Sequence, residues 1–174
     1  MEKLILMLTL IAIHASSLAC SFASDTSIFK PTLERWDEHP GPAQKGEPGD
    51  YWEKVPAPVV SVRSITRGSD AVGSSCADAG TITLEVSLPN ISSYSIDEFA
   101  VYFRVKSGTE PDLIFPDIPL VGGLEEGKQV LFFAWLDGHP SRQIDLDLEI
   151  EAFLITNGLN VGPSSVFKIK AKKG

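Results

Sequence analysis

The chain has 174 residues, with 23 acidic against 15 basic side chains and a net charge of −8. That balance argues against nucleic acid as a partner, because phosphate backbones need clustered Lys and Arg. Only two cysteines are present, so a disulfide framework is excluded and an ordinary apolar core must supply the stability.

Residues 1–23 read as a signal peptide. Lys3 sits in a short polar start, Leu4 to Ala15 is apolar apart from Thr9 and His14, and small residues follow. That run is too short to span a bilayer, which takes ~20 residues. Small residues stand at −3 and −1 of a cleavage site twice, in Ser17-Leu18-Ala19 and in Ser21-Phe22-Ala23. The first site would leave Cys20 at the mature N-terminus. Leu18-Ala19-Cys20 also resembles a bacterial lipoprotein signal, although Ser17 stands where Leu is usual. The expectation is cleavage after Ala23 and soluble export to the periplasm or the extracellular space. A membrane enters only if Cys20 is lipidated. Cys76 is then a free thiol by default, and an unlipidated Cys20 is its alternative partner, which spacing does not decide.

Residues 24–58 form a leader of different composition. Pro and Gly recur at Pro31, Pro40, Gly41, Pro42, Gly46, Pro48, Gly49, Pro56 and Pro58, which excludes a regular helix or central strand. Phe29, Leu33, Trp36, Tyr51 and Trp52 make it more aromatic than a solvated linker. Docking of these aromatics on the chain's own domain is expected. A segment that orders on a partner and a plain tether are the other readings.

From Val59 onward, short strands are separated by turn residues. Val59 to Thr66 is the first, and Arg67 to Gly80 is a Gly/Ser/Asp loop containing Cys76. In Thr81 to Leu88 the apolar Ile82, Leu84, Val86 and Leu88 alternate with polar neighbours until Pro89 ends the strand. Ser95 to Lys106 places Phe99, Val101, Phe103 and Val105 inward, leaving Tyr102, Arg104 and Lys106 outward. Leu113 to Val121 is broken by Pro116 and Pro119, as an edge strand is. Gln129 to Leu136 is nearly all apolar, and so buried on both sides or covered by the leader.

The clearest pattern comes last. From Ile144 to Ala152 apolar residues take even positions and the acids Asp145, Asp147, Glu149 and Glu151 take odd ones, a period that only a half-buried strand satisfies. After Asn157-Gly158 and a loop through Gly162-Pro163-Ser164-Ser165, Phe167, Ile169 and Ala171 alternate with Lys168, Lys170 and Lys172. An antiparallel pair puts acids and lysines on one face. A register of Ala152 with Ile169 sets Glu151 opposite Lys170 and Glu149 opposite Lys172.

Seven short strands at turn-punctuated intervals predict an all-β, seven-stranded antiparallel two-sheet sandwich over residues 59–174. Leu148-Glu149-Ile150-Glu151-Ala152, Asn157-Gly158-Leu159, Gly162-Pro163-Ser164-Ser165 and the final strand resemble the end of a fibronectin type III or related immunoglobulin-like domain. The resemblance implies that the acidic strand lies between the lysine strand and the strand of Arg104 and Lys106. It carries no catalytic residues, and fold alone does not imply function.

Chemistry-bearing constellations are sparse. Alternate acids on one strand lie about 6.6–6.8 Å apart, too far to share an ion with oxygens at about 2.3–2.6 Å. Asp37, His39, Asp137 and His139 lie in two short echoes, Asp37-Glu38-His39-Pro40 and Asp137-Gly138-His139-Pro140. They would make a transition-metal site only if the leader crosses the end of the sandwich. Asp-Gly followed by His-Pro is first of all a turn. No nucleophile–base pair or Gly-x-Ser-x-Gly elbow is visible, so neither an enzyme nor a cofactor is expected. The function expected is a non-catalytic exported binding or accessory module engaging another envelope or extracellular protein. The alternative is a carbohydrate-binding module using Trp36, Tyr51, Trp52 and Tyr102 as platforms.

Overall fold

A computed structural model describes residues 20–31, 56–71, 76–90, 92 and 94–174. Among them the chain forms strands β1 (Ser27–Ile28), β2 (Val59–Thr66), β3 (Ala79–Ser87), β4 (Ala100–Ser107), β5 (Leu120–Val121), β6 (Gly123–Glu125), β7 (Lys128–Leu136), β8 (Leu146–Ile155) and β9 (Val161–Ala171). They build two antiparallel sheets, β1-β5-β4-β8-β9 and β2-β3-β7-β6. The only helical pieces among the described residues are the 3₁₀ turns Ile96–Glu98 and Pro140–Arg142. None is long and apolar enough to cross a membrane.

The all-β, two-sheet architecture agrees with the periodicities, but the count is nine strands rather than seven. β1 and β6 are two and three residues long, too short to show any period. The strand expected over Leu113 to Val121 shrinks to Leu120–Val121. Pro116 and Pro119 cannot donate to a ladder, and the Ile114 and Phe115 amides are used elsewhere, on Glu110 Oε1 at 3.2 and 3.3 Å.

One core lies between the sheets. Ile82, Leu84 and Val86 of β3 and Leu131, Phe133 and Trp135 of β7 face Val101 and Phe103 of β4, Leu146 to Leu154 at even positions of β8, and Ile169 of β9. Burial alternates along β3 and along β8 as far as Leu154, as the sequence period demands, and Ile155 is buried as well. Phe103, Phe115 and Phe133 form an aromatic cluster with ring centroids 4.9–5.6 Å apart. Such tilted and edge-on contacts add to the burial itself. β7 alternates as well, with Ala134 and Leu136 exposed on its outer face, so it is not buried on both sides.

β8 lies between β4 and β9, the order implied by the resemblance and matched by the charges, but the register with β9 differs from the expected one. Leu148 faces Ile169, Glu149 faces Lys168 and Asp147 faces Lys170, while Ala152 faces Ser165. The connection is tighter than expected. Thr156 N–H donates to Asn160 O, Leu159 N–H donates to Thr156 O, and Leu159 adopts a positive φ of 61°. β9 therefore starts at Val161 and absorbs Gly162-Pro163-Ser164-Ser165 as edge strand rather than loop. The slip is an even number of residues, so every side chain keeps its face.

The first described residues bind the two sheets along one side. Cys20 is disulfide-bonded to Cys76 in the β2–β3 loop. Phe22 packs on Phe132 of β7 at 5.5 Å between ring centroids, and Thr26 Oγ1 accepts the Phe132 N–H at 2.7 Å. At the next residue, Ser27, β1 begins and joins the other sheet through β5. Phe29 is buried beside Ala100 and Ile155. Of the leader residues expected to dock on the domain, Phe29 is described and is buried there. Leu33, Trp36, Tyr51 and Trp52 lie outside the described residues.

Candidate functional site

At one end of the sandwich, Asp137 is fully buried and accepts four hydrogen bonds. Arg67 gives two from Nε and Nη2, both at 2.8 Å, the Gly68 amide one at 2.7 Å, and Trp135 Nε1 one at 3.1 Å. Burial pushes the carboxyl upward, but Arg67, the Gly68 amide and the Trp135 indole outweigh it and hold Asp137 below its ordinary range. Arg67 also donates to the carbonyls of Ile144 and Lys172, at 2.9 and 3.0 Å. The network thus joins the ends of β2, β7 and β9 and the approach to β8.

This arrangement decides the role of one predicted ligand. Asp137 is committed to Arg67. His139 beside it is exposed, its Nδ1 accepting from the Ser141 amide at 3.2 Å and lying 2.9 Å from the Ser141 hydroxyl. Asp137 and His139 border an open cleft of about 500 Å³ with Asp70, Asp78 and Arg142. Among the described residues no three His, Cys, Asp or Glu side chains are grouped closely enough to hold a metal ion. Asp37 and His39 lie outside those residues.

On the outer face of the five-stranded sheet the acids are paired with cations on both sides. Glu151 lies opposite Arg104, whose Nε donates to Oε2 at 3.0 Å, and 3.6 Å from Lys106 Nζ. Glu149 lies 3.5 Å from Lys168, Asp147 3.0 Å from Lys170, and Asp145 2.7 Å from Lys172. The lysine expected beside Glu151 is replaced by Val166, because of the shifted register. Hydrogen bonds from Arg104 and Lys172 hold the Glu151 and Asp145 carboxyls below their ordinary range.

Tyr102 points outward from β4 but is half-buried. Its ring packs near Phe153 and the buried Phe29, and its hydroxyl donates to Asp117. That bond raises the phenol above its ordinary range. Arg104 covers the other aromatic, its guanidinium carbon 5.1 Å from the Phe153 ring centre. Of the four predicted platform residues, Tyr102 alone is described. Trp36, Tyr51 and Trp52 belong to the segment joining Pro31 to Pro56 and fall outside.

Two further features are not legible as sites in the sequence. One is an open cleft of about 520 Å³ between residues 23–25 and the outer face of β3 and β7, bordered by Arg63, Thr83, Glu125 and Phe132. The other is Gln129, almost fully buried at the head of the apolar run Val130–Leu136 of β7. Its Nε2 donates to the Ile96 and Phe99 carbonyls at 2.8 and 2.7 Å, and its Oε1 accepts the Gly122 amide at 3.0 Å. A lone Gln at a strand start gives no such signal. Compared with known proteins, the chain matches no family, no curated protein and no solved structure.

Proposed function

We propose that the chain is a non-catalytic, exported binding or accessory module that engages another envelope or extracellular protein. The observation that carries this reading is the Cys20–Cys76 disulfide, since such cross-links persist in oxidising compartments outside the cytosol. The domain is of immunoglobulin-like or fibronectin type III-like kind. This is supported by strand order: β2-β3-β7-β6 corresponds to an A-B-E-D sheet and β4-β8-β9 to a C-F-G sheet. Strand β5, with β1 outside it, then extends the C edge.

The charged side chains favour binding over catalysis. The candidate acids Asp137, Asp145, Asp147, Glu149 and Glu151 are all engaged with Arg or Lys. The aromatics proposed for partner binding are Trp36, Tyr51 and Trp52. They lie on a segment that begins just after the buried Phe29 and ends just before the buried Pro58.

Cross-linking and mass spectrometry of material purified from the native source test this reading. A discrete protein partner is expected, its yield falling when Trp36, Tyr51 and Trp52 are replaced by Ala. Retention on a polysaccharide with no protein partner would instead support the carbohydrate-binding alternative.

A further inference from the structure

We propose that the chain is cut between Ala19 and Cys20, and that the Cys20 thiol is taken by Cys76 rather than by a lipid. The proposal rests on the export reading above and adds the processing site and the fate of the new N-terminus.

Ser17-Leu18-Ala19 and Ser21-Phe22-Ala23 satisfy the small-residue rule equally well. The folded domain distinguishes them. Cys20 is covalently bound to Cys76 across 56 residues of chain. Phe22 packs on Phe132, Ser24 Oγ accepts the Thr26 amide at 3.0 Å, and Thr26 Oγ1 accepts the Phe132 amide. Asp25 lies so close to Gly123 that a Cβ there would come within 3.0 Å of it. Among the described residues, Cys20 and Phe22, both upstream of Ser24, are therefore already tied to the sandwich. Cleavage after Ala23 would discard the disulfide and the Phe22 contact, leaving Cys76 the single cysteine of the mature chain.

The sulfur also separates the soluble form from the lipoprotein. A lipid is attached as a thioether on Cys20 Sγ, and one sulfur cannot carry both a thioether and the bond to Cys76. The steps are a hydrolysis and an oxidation. Water adds across the Ala19–Cys20 peptide bond, leaving a carboxylate on Ala19 and an amine on Cys20. The two thiols then lose their protons and, together, two electrons to the disulfide of an oxidised thiol oxidoreductase. That enzyme leaves as the dithiol, and the Sγ–Sγ bond forms.

The test is N-terminal sequencing and intact mass of the full chain expressed with its own leader in a host with an oxidising envelope. Alkylation is run before and after reduction. The expected product begins at Cys20, carries no lipid, and takes up alkyl groups on both cysteines only after reduction. Ala23→Tyr, which spoils the second site, is expected to leave processing unchanged. A chain beginning at Ser24, a diacylglyceryl adduct on Cys20, alkylation without reduction, or a block by Ala23→Tyr would each overturn the proposal. A start at Ser24 would leave the export reading standing, whereas an uncut chain retained in the cytosol would remove both.

Discussion

Arg67 and Asp137 meet in a two-pronged pair, with Nε and Nη2 each 2.8 Å from a different carboxylate oxygen. The Arg67 side chain is 9% exposed and that of Asp137 is fully buried. Removing one member of a buried pair strands the other charge, at a cost of about 3–5 kcal/mol. Arg67→Met is therefore expected to lower the unfolding free energy, measured by urea denaturation, by an amount in that range. Adding Asp137→Leu should recover much of the loss, because no charge then remains buried. Equal loss in the single and double variants would mean that Arg67 acts through its carbonyl contacts instead.

The same carboxylate gives a pH dependence of known sign. Its folded pKa lies below the ordinary value, so the folded state binds this proton less readily than the unfolded state. The stabilisation is present above the unfolded value of about 3.9 and is lost as pH falls through the folded value. Denaturation curves recorded downward from pH 5 should steepen in their loss of stability below about pH 4. Asp137→Asn should be less stable at neutral pH and show a shallower acid limb. A parallel acid limb in the variant would count against this assignment.

Gln129 tests whether polarity or hydrophobicity governs the start of β7. A Leu there is more apolar but leaves the Ile96 and Phe99 carbonyls and the Gly122 amide without the bonds Gln129 makes. The Ile96 carbonyl keeps the Phe99 amide at 3.3 Å, but each buried group left without a partner costs roughly 1–3 kcal/mol. Gln129→Leu should thus lower the melting temperature despite its higher hydrophobicity, and Gln129→Glu should restore none of the lost stability. A stabilising Leu would show that water replaces these contacts.

The acidic strand predicts a ranking. Ile150 is fully buried between the sheets, whereas Glu151 lies on the paired outer face. Glu151→Gln should cost little, because its partners Arg104 and Lys106 remain solvated when the charge is removed and Gln can still accept from Arg104. Ile150→Asp puts an unpaired charge in the core and should cost several kcal/mol. Register is checked separately by a double-mutant cycle. Coupling is expected for Glu149 with Lys168 and none for Glu149 with Lys172.

Closing a loop of 56 residues restricts the unfolded chain by about 4 kcal/mol in the chain-entropy estimate. Cys76→Ser should accordingly lower the unfolding midpoint, and dithiothreitol should have the same effect on the wild type and none on the variant. A midpoint insensitive to both would mean that the loop is already restricted when unfolded.

The extent to which this fold is legible in the sequence follows from period and length. β3, β4 and β8 each alternate over several residues, so their buried faces emerge from pattern alone, but boundaries do not: the strand expected from Ser95 starts at Ala100, after the 3₁₀ turn Ile96–Glu98. The order β4-β8-β9 is what the resemblance to a fibronectin type III or immunoglobulin-like domain implies, and the charges on the three strands agree with it. Register is not legible. It depends on how few residues turn the chain at 156–160, and a shift by an even number preserves every face. β1 and β6 are fixed by pairing with distant partners, which no local window contains. The Asp137 role is hidden for a similar reason, since its partner Arg67 lies 70 positions away. The Cys20–Cys76 link is one of the alternatives left open by the sequence, and a free Cys76 thiol is the one the structure excludes.

The side contact between the first described residues and β7 also bears on self-association. β6 pairs with β7 only over Lys128 to Val130, and beyond it, among the described residues, no strand runs along that edge of Leu131-Phe132-Phe133-Ala134-Trp135-Leu136. Its outward amides are met by side chains instead, Phe132 N–H by Thr26 Oγ1 and Leu136 N–H by Asp112 Oδ2. A side chain satisfies an amide without offering the next strand a template. An uncharged apolar edge of this length is the kind that stacks into cross-β assemblies. Chains shortened to begin after Phe29 should therefore remain folded at low concentration yet form thioflavin-positive aggregates as concentration rises, and Asp112→Ala should bring that onset lower still.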